Sequence, residues 1–211
     1  MKISFSLGKI QLFAYFIILS LAGSLLLQFP FVYSEGKTVP YIDALFTSVS
    51  ALCVTGLSTL DMSVYTTAGF CVILALIELG GLGILTFVSM MISYPGKKVS
   101  LVNRKLVKDF FIDEVENNPR KILKNILMLT FGIQIMGTLA LFPAFHAEGV
   151  ALPLFTAFFT SVSAFCNAGF SVFSDSLAQF THNKAVSLIV MTLIFRSEER
   201  RVGKECSLTC R

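Results

Sequence analysis

Thirteen residues of this chain occur twice. Phe46-Thr-Ser-Val-Ser-Ala-Leu-Cys-Val-Thr-Gly-Leu-Ser58 aligns without gaps to Phe159-Thr-Ser-Val-Ser-Ala-Phe-Cys-Asn-Ala-Gly-Phe-Ser171, nine of thirteen positions being identical at an offset of 113. Neither copy holds a charge, and each has a proline shortly upstream (Pro40, Pro153), a residue suited to the first turn of a helix. The fold must therefore house one apolar local unit twice. Composition says where. Over 211 residues the chain is 55% hydrophobic and 14% charged, with mean hydropathy +0.76, whereas a soluble domain carries about 25% charged residues. A cytosolic globular enzyme is excluded, and so is disorder, which needs the opposite composition. An all-α integral membrane protein is expected. Trp is absent, so any aromatic belt rests on Tyr15, Tyr33, Tyr41, Tyr65 and Tyr94.

Charge placement gives spans and orientation. Ile10 to Ser34 is uncharged for 25 residues, enough to cross a hydrocarbon core of about 30 Å and longer than a signal-peptide core of about 15 residues. A second apolar run, Met62 to Gly96, is broken by Glu78 alone, and a third extends from Asn125 to Phe145. The last run, Ala185 to Phe195, has eleven residues before Arg196 and is too short to span. Basic residues crowd the 95–124 stretch (Lys97, Lys98, Arg104, Lys105, Lys108, Arg120, Lys121, Lys124), whereas Ser34 to Met62 holds only Lys37 and His146 to His182 holds no Lys or Arg. Positive charge stays inside, which puts the N-terminus and this linker in the cytoplasm of a multi-pass cell-membrane protein. Net charge is +4, and nothing in its distribution suggests a nucleic-acid face.

That orientation forces residues 34–66 to begin and end outside, although Ala44 to Leu60 is uncharged and largely apolar. A helix from Pro40 to Leu52 would be roughly 20 Å long, too short to cross. A re-entrant segment satisfies both facts, since irregular backbone at membrane depth is tolerated where it is buried in protein or lines a wet cavity. The expected unit is helix, re-entrant pore helix, filter loop, helix. Residues 1–94 form the first, 95–120 a cytoplasmic linker, and 121–195 a second, truncated one. Residues 196–211 form an anomalous polar tail.

A short helix entering from outside aims its C-terminal end, with about half a negative charge, at the bilayer centre. The glycine that follows (Gly56, Gly169) permits backbone angles other residues avoid, so successive carbonyls can turn inward and replace an ion's hydration shell. Val54-Thr55-Gly56 resembles, in altered order, the Thr-Val-Gly core of potassium-channel filters. The plainer alternative is a packing hairpin in which Ser48, Ser50, Ser161 and Ser163 permit close helix contact. The Cys-x-x-Gly ending is repeated at the loop as well as in the helix, which favours the ion-binding reading.

With Phe-Thr-Ser-Val-Ser-Ala before each loop, Cys53-Val-Thr-Gly-Leu-Ser58, Cys166-Asn-Ala-Gly-Phe-Ser171 and Glu78-Leu-Gly-Gly-Leu-Gly83, the chain resembles the Trk/Ktr/HKT superfamily of potassium transporters, most of all the bacterial Ktr-type membrane subunit. The likeness covers about residues 5 to 195. It implies four such units around one pore and potassium uptake, with sodium as a candidate coupling ion. It also implies a homodimer with a cytoplasmic nucleotide-binding regulatory subunit, and no cofactor. Potassium would meet the backbone of Val54, Thr55, Gly56 and Leu57 and of Asn167, Ala168, Gly169 and Phe170, with no transition-metal site. The chain departs from the pattern in holding two of the four units, in Glu78 where a Gln-like residue is expected, and from Ser197 onward.

Glu78 is the one acid inside an expected span, and such carboxylates face a bundle interior or a wet cavity. A hydrogen-bonded strut behind the filter is the favoured role. Asp43 suits the first turn of the first pore helix, where an acid offsets the dipole. His146 and His182 fall in expected outer loops without ligand-spaced neighbours, and Cys53, Cys71 and Cys166 stand singly. The competing classes are an intramembrane hydrolase and a non-transporting scaffold or relic fragment. Gly56-Leu-Ser-Thr59 and Gly169-Phe-Ser-Val172 lack a second glycine, and no span holds a histidine base. A scaffold needs no matched glycine loops.

Overall fold

The computed structural model describes the backbone of residues 7–34, 39–93 and 119–209, and side chains over 13–34, 39–82 and 124–196. Helices are α1 (Leu7–Leu26), α2 (Tyr41–Leu52), α3 (Thr67–Ser93), α4 (Pro119–Ala147), α5 (Pro153–Cys166) and α6 (Lys184–Thr209). No strand occurs among the described residues beyond one isolated bridge between Tyr33 and Tyr65.

The prolines act as their positions suggest. Pro40 is the N-cap of α2 and Pro153 opens α5, where a missing N–H costs nothing. Helices of 12 and 14 residues follow, roughly 18 and 21 Å long at 1.5 Å per residue. Among the described side chains, Lys124–Ala147 is the one helix both long and apolar enough to cross a membrane, while Phe13–Leu26, Tyr41–Leu52, Thr67–Leu82 and Pro153–Cys166 are shorter apolar stretches.

The six helices pack as two triplets. α2 touches α1 and α3, which touch each other, and α5 stands in the same relation to α4 and α6; α3 then packs on both α4 and α5. One device recurs at the heart of each triplet. Ser48 Oγ donates to the Ser20 carbonyl at 2.7 Å, and Ser161 Oγ donates to the Gln134 carbonyl at 2.8 Å. Three residues beyond each carbonyl lies a glycine. A Cβ at Gly23 would fall 2.8 Å from a Leu76 methyl, and one at Gly137 would fall 2.9 Å from a Leu193 methyl, each also against the serine hydroxyl. Small residues and cross-helix hydroxyl bonds are what membrane helices use to approach closely.

The apolar core of the first triplet includes Leu27, Ile73, Ile77 and Val32 and reaches across to Phe159 and Val162 of α5. Phe70 and Phe159 form the seam, edge to face with centroids 5.4 Å apart. A second core gathers Leu141, Phe145, Phe180, Val186 and Leu193. Outward faces of α1, α4 and α6 stay apolar: Ile18, Met136 and Leu188 are 64%, 71% and 67% exposed. That surface suits lipid.

The structure corrects or extends the expectation in three places. His146 lies in the last turn of α4 rather than in a loop. α4 begins at Pro119, inside the stretch read as linker, and the rest of that linker lies outside the described residues. The backbone of α6 stays helical to Thr209, through the stretch set apart as a polar tail. The charges of Arg196 to Lys204 resist hydrocarbon but not helix, because Glu, Arg and Lys are good helix formers.

Candidate functional site: two glycine loops

Each short helix ends in the same way. After α2, Val54 takes φ 57° and Gly56 φ 77°; after α5, Asn167 takes φ 58° and Gly169 φ 72°. These left-handed residues occupy equivalent positions in the repeat. The Val54 N–H donates to Ala51 O at 3.2 Å and that of Asn167 to Ala164 O at 3.1 Å. The next N–H, of Thr55 or Ala168, donates to Ser50 O at 2.9 Å or Ser163 O at 2.8 Å. Both helix ends thus wind down through one hydrogen-bonding scheme.

The second serine of each copy ties the loop's exit back to its helix. Ser50 Oγ accepts from the Leu57 N–H at 2.9 Å, and Ser163 Oγ donates to the Phe170 carbonyl at 2.6 Å. The four repeated serines therefore divide their work. Ser48 and Ser161 dock the short helix on its neighbour, whereas Ser50 and Ser163 shape the loop.

The two loops meet backbone to backbone. A Cβ on Gly56 would run into the Ala168 carbonyl oxygen and lie 3.1 Å from Gly169 Cα, while one on Gly169 would lie 3.5 Å from Gly56 Cα. Helix α3 brings them together, since adjacent glycines touch the ends of both short helices: Gly80 abuts the Leu52 carbonyl, and a Cβ on Gly81 would sit 2.7 Å from Cys166 Sγ. Of the expected ion-facing residues, Thr55 and Leu57 are exposed and Val54 half-buried; Ala168 and Phe170 are buried.

Glu78 lies one helical turn before Gly81. Gln134 Nε2 donates to both of its carboxylate oxygens, at 3.2 and 2.9 Å, and Cys166 Sγ donates to Oε2 at 3.8 Å. The carboxylate stands behind the second loop, joined to a residue of the other triplet. Sequence reasoning missed Gln134. It is fully buried, and its signal was available, as the one amide between Asn125 and Phe145. Asp43 accepts a hydrogen bond from Thr59 Oγ1 at 2.7 Å, which ties the start of α2 to the chain beyond its own loop.

Local bonds also occupy the serines a hydrolase would use. Ser58 Oγ donates to Leu60 O at 2.8 Å, and Ser171 Oγ donates to Ser176 O at 3.1 Å. His146 packs its ring on Phe142. Among the described residues no group of three or more His, Cys, Asp or Glu is placed to hold a metal ion.

Comparison with known proteins bears on the same residues. The family described as "TrkH: Cation transport protein" matches residues 1–197. The chain is 38% identical over 191 residues to "Potassium/sodium uptake protein NtpJ" of Enterococcus hirae, covering 89% of this chain and 42% of that protein. It is 33% identical over 180 residues to "Ktr system potassium uptake protein B" of Bacillus subtilis, covering 84% and 40%. To "Ktr system potassium uptake protein D" of the same organism it is 32% identical over 200 residues, covering 92% and 44%. The chain thus spans about two fifths of the length of these relatives. Matched over nearly its whole length, it belongs to the TrkH family of cation transport proteins, a family of membrane transporters and not of enzymes.

Proposed function

We propose that this chain supplies two of the helix–pore-helix–loop–helix units that line a membrane pathway for potassium. One observation carries the reading. Two loops 113 residues apart share their left-handed positions and their backbone hydrogen bonds, and meet at Gly56 and Gly169. Such loops present main-chain carbonyls at the C-terminal ends of short helices, where partial negative charge collects. The ion would bind among the backbone groups of Val54 to Leu57 and Asn167 to Phe170. The "potassium/sodium uptake" of the Enterococcus hirae relative supports potassium as substrate and sodium as the ion to test for coupling. A homodimer regulated by a cytoplasmic nucleotide-binding subunit completes the proposal, and no organic cofactor enters it.

The units are residues 1–94 and 121–195, with the N-terminus and the 95–120 linker cytoplasmic. Residues 196–211 lie outside the transport unit, a reading supported by a family match that ends at residue 197.

Replacing Gly56 or Gly169 by Ser in the full transporter tests the site through uptake by potassium-depleted cells. Weaker potassium affinity and poorer discrimination against sodium are expected; normal uptake by both variants overturns the assignment. For orientation, a cysteine at Lys105 should react only from the cytoplasm and one at Glu35 only from outside. Reaction of both from one side removes the re-entrant segments with it.

A further inference from the structure

We infer that Glu78 and Gln134 together form a positioning bridge that fixes the second glycine loop, and that ion discrimination at that loop depends on this bridge. The inference rests on the transport reading above and adds to it a named positioning pair.

Gln134 is a rigid post. Its carbonyl accepts from Thr138 Oγ1 at 2.7 Å and from Ser161 Oγ at 2.8 Å, so its backbone is pinned to α5. Its side chain is fully buried, and its Nε2 donates to both carboxylate oxygens of Glu78. Glu78 in turn accepts from Cys166, the last residue of α5 and the neighbour of Asn167. A continuous chain of bonds therefore runs from α4 through α3 to the base of the second loop. Cys166 is gripped from a second side by the close approach of Gly81. The equivalent of Cys166 in the first unit, Cys53, is exposed. A loop fixed at its base holds its carbonyl spacing against a smaller ion, because discrimination depends on the number and rigidity of the coordinating dipoles.

Among the described residues Gln134 Oε1 has no hydrogen-bond donor. Glu78→Gln would place an amide opposite an amide, able to donate as well as accept, so the bridge should survive loss of the charge. Glu78→Ala removes it, and Gln134→Leu removes it from the other side.

The test follows maleimide labelling of Cys166, as the one cysteine left in the full transporter, alongside potassium and sodium uptake in liposomes. Glu78→Ala and Gln134→Leu should each speed labelling about tenfold, the equivalent of one lost hydrogen bond to a charged group. Both should also lower the preference for potassium over sodium, while Glu78→Gln stays near the parent in both readouts. Labelling that is unchanged in Glu78→Ala overturns the bridge, whatever uptake does. Labelling that rises equally in Glu78→Gln also overturns it, because the effect would then be one of charge. Faster labelling with unchanged ion preference overturns the role in discrimination. A full transporter whose parent form takes up neither ion sinks the transport reading and that role together, while labelling still decides whether the bridge exists.

Discussion

The loop after α2 and the loop after α5 have the same backbone hydrogen bonds and different surroundings. In the first, Thr55 and Leu57 are exposed and a valine sits at φ 57°. In the second, Ala168 and Phe170 are buried and an asparagine occupies the left-handed position, where its short polar side chain is tolerated and a β-branched one is strained. The first loop is shaped by its own helix through Ser50; the second has Ser163 and, beneath it, Glu78 on Gln134. Duplication has kept the backbone scheme and let the support diverge. A backbone scheme needs a hydroxyl at one position and a glycine at another, whereas support comes from whatever helix lies alongside.

Several substitutions break or sharpen that comparison. The largest effect belongs to the glycines, and it should be lopsided. Gly56→Ala meets a carbonyl oxygen of the partner loop and a strained φ; about 2 kcal/mol of overpacking and about 1 kcal/mol of left-handed strain should lower stability in detergent by about 3 kcal/mol. Gly169→Ala, whose nearest neighbour is 3.5 Å away, should lose only the strain, about 1 kcal/mol. Equal losses would mean that the loops do not meet as described. Next come the docking serines. Ser48→Ala and Ser161→Ala each delete one hydroxyl bond to a neighbouring helix and should cost about 1 kcal/mol apiece, equal in the two units, as read by thermal unfolding. A marked inequality there would break the equivalence of the triplets. The smallest effect has the opposite sign. Val54→Asn copies the second loop into the first and should gain somewhat under 1 kcal/mol by relieving strain at φ 57°. A loss would show that the valine side chain has packing of its own to give up.

The sequence made the repeated segment legible because identity persisted there: both short helices, both prolines and both glycines stand where the thirteen-residue alignment puts them. Beyond it, equivalence is structural and cannot be read from identity. Ser20 and Gln134 play one part and share no side-chain chemistry, since it is their carbonyls that accept from Ser48 and Ser161. Leu76 and Leu193 play another, each against a helix glycine, but at a spacing that differs from 113 because the connections after the loops differ in length. Glu78 stood out as an acid in an apolar run. Its partner did not, because spans bounded by their charges pass over an uncharged amide. The helical course of α6 past Arg196 was hidden for the converse reason: hydropathy reports solvent preference, and the backbone answers to helix propensity as well.

A duplicated segment ordinarily gives evolution a spare, one copy free to drift while the other keeps its task. The contact at Gly56 withdraws that freedom. The space a side chain would need at residue 56 is already taken by main chain from residue 168, and main chain cannot be mutated away. A larger residue in the first copy therefore has no compensating substitution at the point of contact in the second; only a shift of the whole second unit could admit it. At this junction the two halves inherit as a single locus.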